Sequence, residues 1–309
     1  MMQTVVITGG TGMIGTALSS WLSKANYKII IYTRNVGTHK PKGNITYASW
    51  DVEKKEIDEK PLLQADYIIH LAGAGVMDKR WSENFKKEII KSRVESALLI
   101  INKLRTLPHH VKAIISASAT GYYGPDKALP VFTEDASSAD DFLGTTCRLW
   151  EESVLEAREL NIRTVFLRTG IVLSKEGGAL EAFRNPLKFG IAGIPGNGKQ
   201  TCSWIHISDL CGMYVKALKD EKMTGPYNAV APVPVPLQTV ITNLAKKLNG
   251  NKFIILHAPA FFLKLLLGER SIEILKSVTV SSEKIEKEGY TFLFRKIDTC
   301  LDDLIKKGL

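Results

Sequence analysis

A chain of 309 residues with 45% apolar and 24% charged side chains has the composition of a folded globular protein with one large unit and a smaller one appended; disorder and collagen-like structure are excluded. Its formal charge of +9 is scattered and partly paired in sequence with acids, as in DVEKKEIDEK, so nucleic acid is not an expected partner. The four cysteines form no CxxC pair, and the apolar stretch PAFFLKLLLG is far short of the roughly 20 residues a bilayer crossing needs, so a reduced, cytoplasmic chain without metal or membrane partner is expected.

The first predicted element is an apolar strand, Thr4 to Thr8, followed by TGGTGMIG and an amphipathic helix from Met13 to Lys24. Bare backbone at Gly9, Gly12 and Gly15 admits a pyrophosphate, and the helix start at Met13 and Ile14 aims N–H groups at it. The second strand, Lys28 to Thr33, runs into Arg34. A carboxylate there would bond a ribose 2′-hydroxyl; Arg34 with Thr33 beside it suits a 2′-phosphate, so NADP is expected rather than NAD.

A third strand is predicted at Ile45 to Ala48 and a fourth at Asp66 to Leu71. The fourth ends in HLAGAG, where Leu71, Ala72 and Gly73 leave room for the central ribose and nicotinamide; His70, just inside, reads as core. Helices over Asn84 to Leu104 and Leu143 to Glu159 alternate with strands at Val111 to Ala117 and Arg163 to Arg168. Such alternation implies right-handed crossovers and an α/β fold, a Rossmann doubly wound parallel sheet.

Beyond Arg168 glycine and proline become frequent, then CSWIHI reads as a strand and Ser208 to Lys219 as a helix. The expected division is a dinucleotide-binding domain over 1–173, completed by about 208–232. A smaller α+β substrate-binding cap comes from 174–207 and 233–309, with helices at Ala260 to Leu267 and Lys296 to Lys307.

The strings TGGTGMIG, HLAGAG and SASATGYYG, in that order, resemble the extended short-chain dehydrogenase/reductase superfamily of sugar-nucleotide epimerases and dehydratases. FLGTTCRLWEE, LRTGIVLSKEGGAL, SWIHISDL and GPYNAVAPVPV look like an atypical NAD(P)-dependent epimerase-like branch with a C-terminal extension, here GERSIEILKSVTVSSEKIEKEGYTFLF. The resemblance spans nearly the whole chain and implies further cofactor contacts at Glu88 and Arg93.

It also implies a tyrosine and, four residues later, a lysine on the helix after the fifth strand, with a serine at that strand's end. Registered on Glu151, Leu143 stands in the tyrosine's place and Cys147 in the lysine's. Neither does the usual work: leucine takes no proton and a neutral thiol carries no fixed charge. Ser118 matches the substrate-oxygen donor, and Tyr122 is the candidate proton donor, weighed against a packing role for Tyr122 and Tyr123. His206 reads as structural or pocket-lining, Asp209 as a helix cap or anchor, and Arg80 with Trp81 either as a substrate contact or as a loop packed on the cap.

The function expected is therefore an NADP-dependent oxidoreductase or epimerase of atypical mechanism on a small polar metabolite such as a nucleotide sugar. The rival is a catalytically silent NADP-binding sensor. Oligomeric state stays open: superfamily members pair as homodimers through the helices at 84–104 and 142–160, but Leu149 and Trp150 are equally core candidates.

Overall fold

The computed structural model describes residues 2–126, 131–306 and 308. Its first half runs β1 (Thr4–Thr8), α1 (Met13–Lys24), β2 (Lys28–Thr33), β3 (Ile45–Asp51), β4 (Glu56–Ile57), α2 (Lys60–Gln64), β5 (Tyr67–His70), α3 (Glu83–Leu104), β6 (Ala113–Ala119), α4 (Phe142–Leu155) and β7 (Arg163–Thr169). Then come β8 (Ile171–Ser174), β9 (Gly177–Gly178), α5 (Ala179–Leu187), β10 (Ile191–Pro195), β11 (Thr201–Cys202), β12 (Trp204–His206), α6 (Ile207–Lys219), β13 (Gly225–Ala229), β14 (Val235–Pro236), α7 (Leu237–Asn249) and β15 (Ile254–Ala258). The C-terminal helices are α8 (Ala260–Leu267), α9 (Ser271–Leu275), α10 (Glu283–Lys287) and α11 (Ile297–Lys306).

The main sheet has the order β13-β7-β6-β5-β1-β2-β3-β4, parallel except for the short edge strand β4. This is the Rossmann arrangement, and its order reverses beside β1, where the carboxyl ends of β1 and β5 open a crevice. Central strands are apolar on both faces because helices cover both: all five residues of β1 are buried. One face packs Leu18 and Leu22 of α1 with Met213 and Tyr214 of α6; the other packs Ile100 and Leu104 of α3 with Trp150 and Val154 of α4. A third apolar cluster joins Leu180 of α5, Val240 and Leu244 of α7, and Leu301 of α11.

The expected limits of the strands at 4–8 and 28–33 and of the helix at 13–24 agree with β1, β2 and α1. The helix expected to reach Glu159 instead stops at Leu155, passes into a 3₁₀ turn over Glu156–Leu160, and is closed by Asn161 at φ 58°. Asparagine tolerates that left-handed corner better than most residues, so the turn tightens there. The β4 and α2 pieces hide in a charged run; β4 pairs antiparallel with the end of β3 through Ile57 on Trp50 and Glu56 on Asp51. All four cysteines are free and buried, and no helix among the described residues is long and apolar enough to cross a membrane.

Candidate functional site

Two bare loops meet at the crevice. Gly9 has φ +67°, and a Cβ on it would lie 2.7 Å from the Leu71 carbonyl, so only glycine lets the first loop touch the second. A Cβ on Gly15 would fall 2.5 Å from Gly10 Cα, which fixes how closely α1 approaches its own turn. Gly12 is different: its Cβ would meet only the Gly9 carbonyl oxygen, at 3.4 Å, so its outer side is open. No side chain caps α1, so the N–H groups at Met13 and Ile14 face that space without a side-chain acceptor. Met13 also touches the β8–β9 hairpin, its Sδ 3.3 Å from where a Gly178 Cβ would stand.

At the end of β2, Thr33 is buried and its Oγ1 accepts the Asn35 N–H at 3.3 Å, while Arg34 stands exposed at the crevice rim. The second loop is tied to β1: Leu71 N–H donates to the Thr8 carbonyl at 3.1 Å and Ala72 N–H to Thr8 Oγ1 at 3.4 Å. Thr8 Oγ1 in turn pairs with His70 Nδ1 at 2.8 Å. Burial lowers the His70 pKa to about 4, so the ring is neutral and belongs to the core.

Arg93 reaches across from α3 to this loop. Its Nη1 donates to the carbonyls of Ala74 and Ile89 at 3.1 and 2.9 Å, its guanidinium lies 5.0 Å from the Trp150 ring, and a Cβ on Gly73 would touch it at 3.0 Å. Its Nη1 thus braces the Gly73–Ala74 loop. Glu88 stands on the exposed face of α3, 3.3 Å from Lys79, and the structure does not join it to either loop.

The carboxyl end of β6 carries a buried polar network. Ser118 Oγ donates to Glu151 Oε1 at 2.6 Å, and Arg168 grips the same carboxylate through Nε at 2.9 Å and Nη2 at 2.8 Å. Arg168 Nη1 also donates to Tyr123 Oη at 3.0 Å, and Tyr123 donates to Asn228 Oδ1 at 2.6 Å. Burial opposes the Arg168 charge, yet the bond to Glu151 and the other partners hold its pKa above the ordinary arginine range. Tyr122 lies over this cation, its ring centroid 3.5 Å from the guanidinium carbon. Glu134 closes the cluster by accepting the Asn228 N–H at 2.8 Å.

Leu143 and Cys147 stand one turn apart on α4, facing Gly121: a Cβ there would meet Leu143 Cβ at 3.4 Å and Cys147 Sγ at 4.0 Å. Both are buried. Burial raises the Cys147 thiol to about 12, against the pull of Arg93, so the thiol is neutral at physiological pH. The helix therefore presents neither a phenol nor a fixed charge at these two positions.

Sequence reasoning used Glu151 only as a landmark and passed over Arg168, Glu134 and Asn228. A charged residue ending an apolar strand was the available signal for Arg168. His206 caps α6 through Nδ1, accepting the Ser208 N–H at 3.0 Å, and its Nε2 lies 3.2 Å from Asp303 of α11. Asp209, fully buried, accepts the N–H groups of Leu293 and Phe294 at 2.7 and 3.1 Å. Both residues anchor the C-terminal segment. Arg80 donates to the Leu265 carbonyl of α8 at 3.0 Å, and Trp81 closes the loop on itself by donating to the Val76 carbonyl at 2.7 Å.

The glycine contacts at Gly9 and Gly15, the uncapped helix start and the open side of Gly12 fit a dinucleotide's diphosphate; Thr33 and Arg34, at the end of β2, would then meet its adenosine ribose and the Leu71–Gly73 loop its nicotinamide half. Fold and crevice together define a Rossmann protein of the nicotinamide-nucleotide-binding kind. A family model described as the NAD dependent epimerase/dehydratase family matches residues 5–229, and a domain of unknown function, DUF1731, matches 258–304. The chain belongs to the NAD dependent epimerase/dehydratase family.

An epimerase family protein of Staphylococcus aureus is 34% identical over 306 residues, which are 99% of this chain and 100% of that relative. The crystal structure of human epimerase family protein SDR39U1 (isoform 2) with NADPH is 28% identical with a TM-score of 0.86, covering 99% of this chain and 100% of that one. A nucleoside-diphosphate sugar epimerase from Corynebacterium glutamicum is 30% identical with a TM-score of 0.76, over 97% of this chain and 57% of that one.

Proposed function

We propose that the chain is an NADP-binding, epimerase-like oxidoreductase acting on a small polar metabolite such as a nucleotide sugar. The observation that carries the NADP reading is Arg34, exposed at the end of β2 where no acid stands. Support comes from the human relative, whose structure holds NADPH, and support for the substrate class from the bacterial relative described as a nucleoside-diphosphate sugar epimerase.

Bound in the crevice, the nicotinamide would supply hydride exchange. The chain's own part is to orient and to move a proton. Ser118 and Tyr122 are the proposed polar groups at the carboxyl end of β6, with Tyr122 exchanging the proton at its phenolic oxygen. Arg168 and Glu151 hold both in place, the first beneath the Tyr122 ring and the second on Ser118 Oγ. The test is NADPH absorbance followed with nucleotide sugars, ketones and quinones, using wild-type protein and Tyr122→Phe. Consumption with one substrate class supports an enzyme; equal turnover by Tyr122→Phe removes Tyr122 from the mechanism.

One observation favours a second reading, a silent NADP-binding sensor: apolar Leu143 and the neutral Cys147 thiol fill the two positions on α4. Tight NADPH retention with no consumption across the panel is its expected signature.

A further inference from the structure

The strand β15 has a free backbone edge. Its parallel ladder with β10 is fixed at both ends: the Ile254 N–H donates to the Gly190 carbonyl at 2.9 Å, and the Ala258 carbonyl accepts the Gly196 N–H at 2.8 Å. Successive residues of a strand turn their N–H and C=O groups to opposite sides, so Ile254, Leu256 and Ala258 face β10 while Ile255 and His257 face away from it. Among the described residues no strand pairs with that outer side. Pro259 follows directly and has no N–H to offer, so the free ladder stops there.

The side chains along this edge are apolar and uncovered. Ile254 is 59% exposed, and Ile255 and Leu256, on opposite faces of the strand, are half exposed. Pro259 alone separates β15 from α8, which adds Phe261 and Leu265, each 74% exposed, and Leu266; within α8 only Leu263 is buried. These six exposed side chains present roughly 800 Å² of apolar surface, above the about 300–600 Å² of the largest patch on an ordinary monomer and close to what one partner brings to a standard interface.

A bilayer does not suit this edge, because hydrocarbon leaves the outward N–H and C=O groups unpaired. A second strand does suit it, and every copy of the chain supplies one in β15 itself. The two outward residues flank Leu256 symmetrically. Across a two-fold axis at Leu256, Ile255 of one copy therefore stands opposite His257 of the other, and each such pair exchanges both of its backbone hydrogen bonds. The contact is isologous, closes on itself and leaves neither edge open.

We propose that a second copy of this chain docks antiparallel on β15, joining two β10–β15 ribbons into one four-stranded sheet flanked by the α8 helices. The contact uses no residue of the dinucleotide crevice, and it lies on a different surface from α3 and α4.

The experiment is sedimentation equilibrium of the full chain, wild type and Leu256→Lys, together with oxidative cross-linking of Leu256→Cys. Wild type is expected to sediment as a dimer of the 34.2 kDa chain. Leu256→Lys sets two ammonium groups face to face on the axis and should weaken association about a hundredfold. In the non-hydrogen-bonded pair at the axis the Cα atoms stand about 4.5 Å apart, within disulfide reach, so Leu256→Cys should give a covalent dimer under mild oxidation. Leu63→Cys, exposed on α2, should not, and the native cysteines are buried. If Leu256→Lys fails to fold, the cross-link decides alone. A wild type that stays monomeric at tens of micromolar, a dimer that Leu256→Lys leaves intact, or a Leu256→Cys protein that does not cross-link overturns the proposal. So does a monomer that binds phosphatidylserine vesicles and loses them with Leu265→Glu, which assigns the patch to a membrane surface instead.

Discussion

Arg34 and Glu151 show how differently two charged residues work here. Arg34 is exposed and free to meet a phosphate, so Arg34→Ala should weaken NADPH binding about tenfold, the loss of one charge-assisted contact, and leave NADH unaffected. Equal losses for both nucleotides, read by calorimetry, would argue against a 2′-phosphate role. Glu151 is buried with Arg168 across two hydrogen bonds. Removing its charge strands the guanidinium, so Glu151→Gln should cost about 3–5 kcal/mol in urea unfolding. The glycine positions and Arg34 were legible in sequence because backbone chemistry and charge act locally. Ser118 was legible as a polar group at a strand end, but its bond to Glu151, 33 residues away, was not.

At the level of elements, the α1 turn formed as read because its signals are contiguous, whereas the C-terminal extension is defined by anchors far off in sequence. Asp209 at the start of α6 holds the Leu293 and Phe294 N–H groups, and His206 faces Asp303. The extension also completes the core, with Ile285 and Phe292 packed in the same cluster as α1 and α6. Asp209→Ala leaves two inward amides unpaired; it should cost about 2–4 kcal/mol and raise amide exchange selectively over residues 290–306. Exchange that rises uniformly over the sheet would show that the anchor is not local. The outward side of α3, one of the two helices through which superfamily members pair, carries Lys87, Glu88, Lys91 and Glu95.

For the whole molecule, the neutral His70 under the crevice makes stability depend on pH. Its folded pKa of about 4 lies below the ordinary 6.5, so between those values the unfolded chain binds a proton that the folded chain refuses. Stability should therefore fall as pH drops from about 6.5 toward 4, and His70→Gln should show a shallower slope than wild type in urea midpoints taken across that range. Identical slopes would mean the ring takes up its proton without cost in the fold. What the sequence by itself determined was the alternation of strands and helices and the bare glycine loop after the first strand, because each is written in neighbouring residues. Only the tertiary structure decided that Arg93 braces the second loop, that Ser118 is bound to a buried ion pair, and that Asp209 anchors the C-terminal segment, because these contacts join residues brought together by packing across layers.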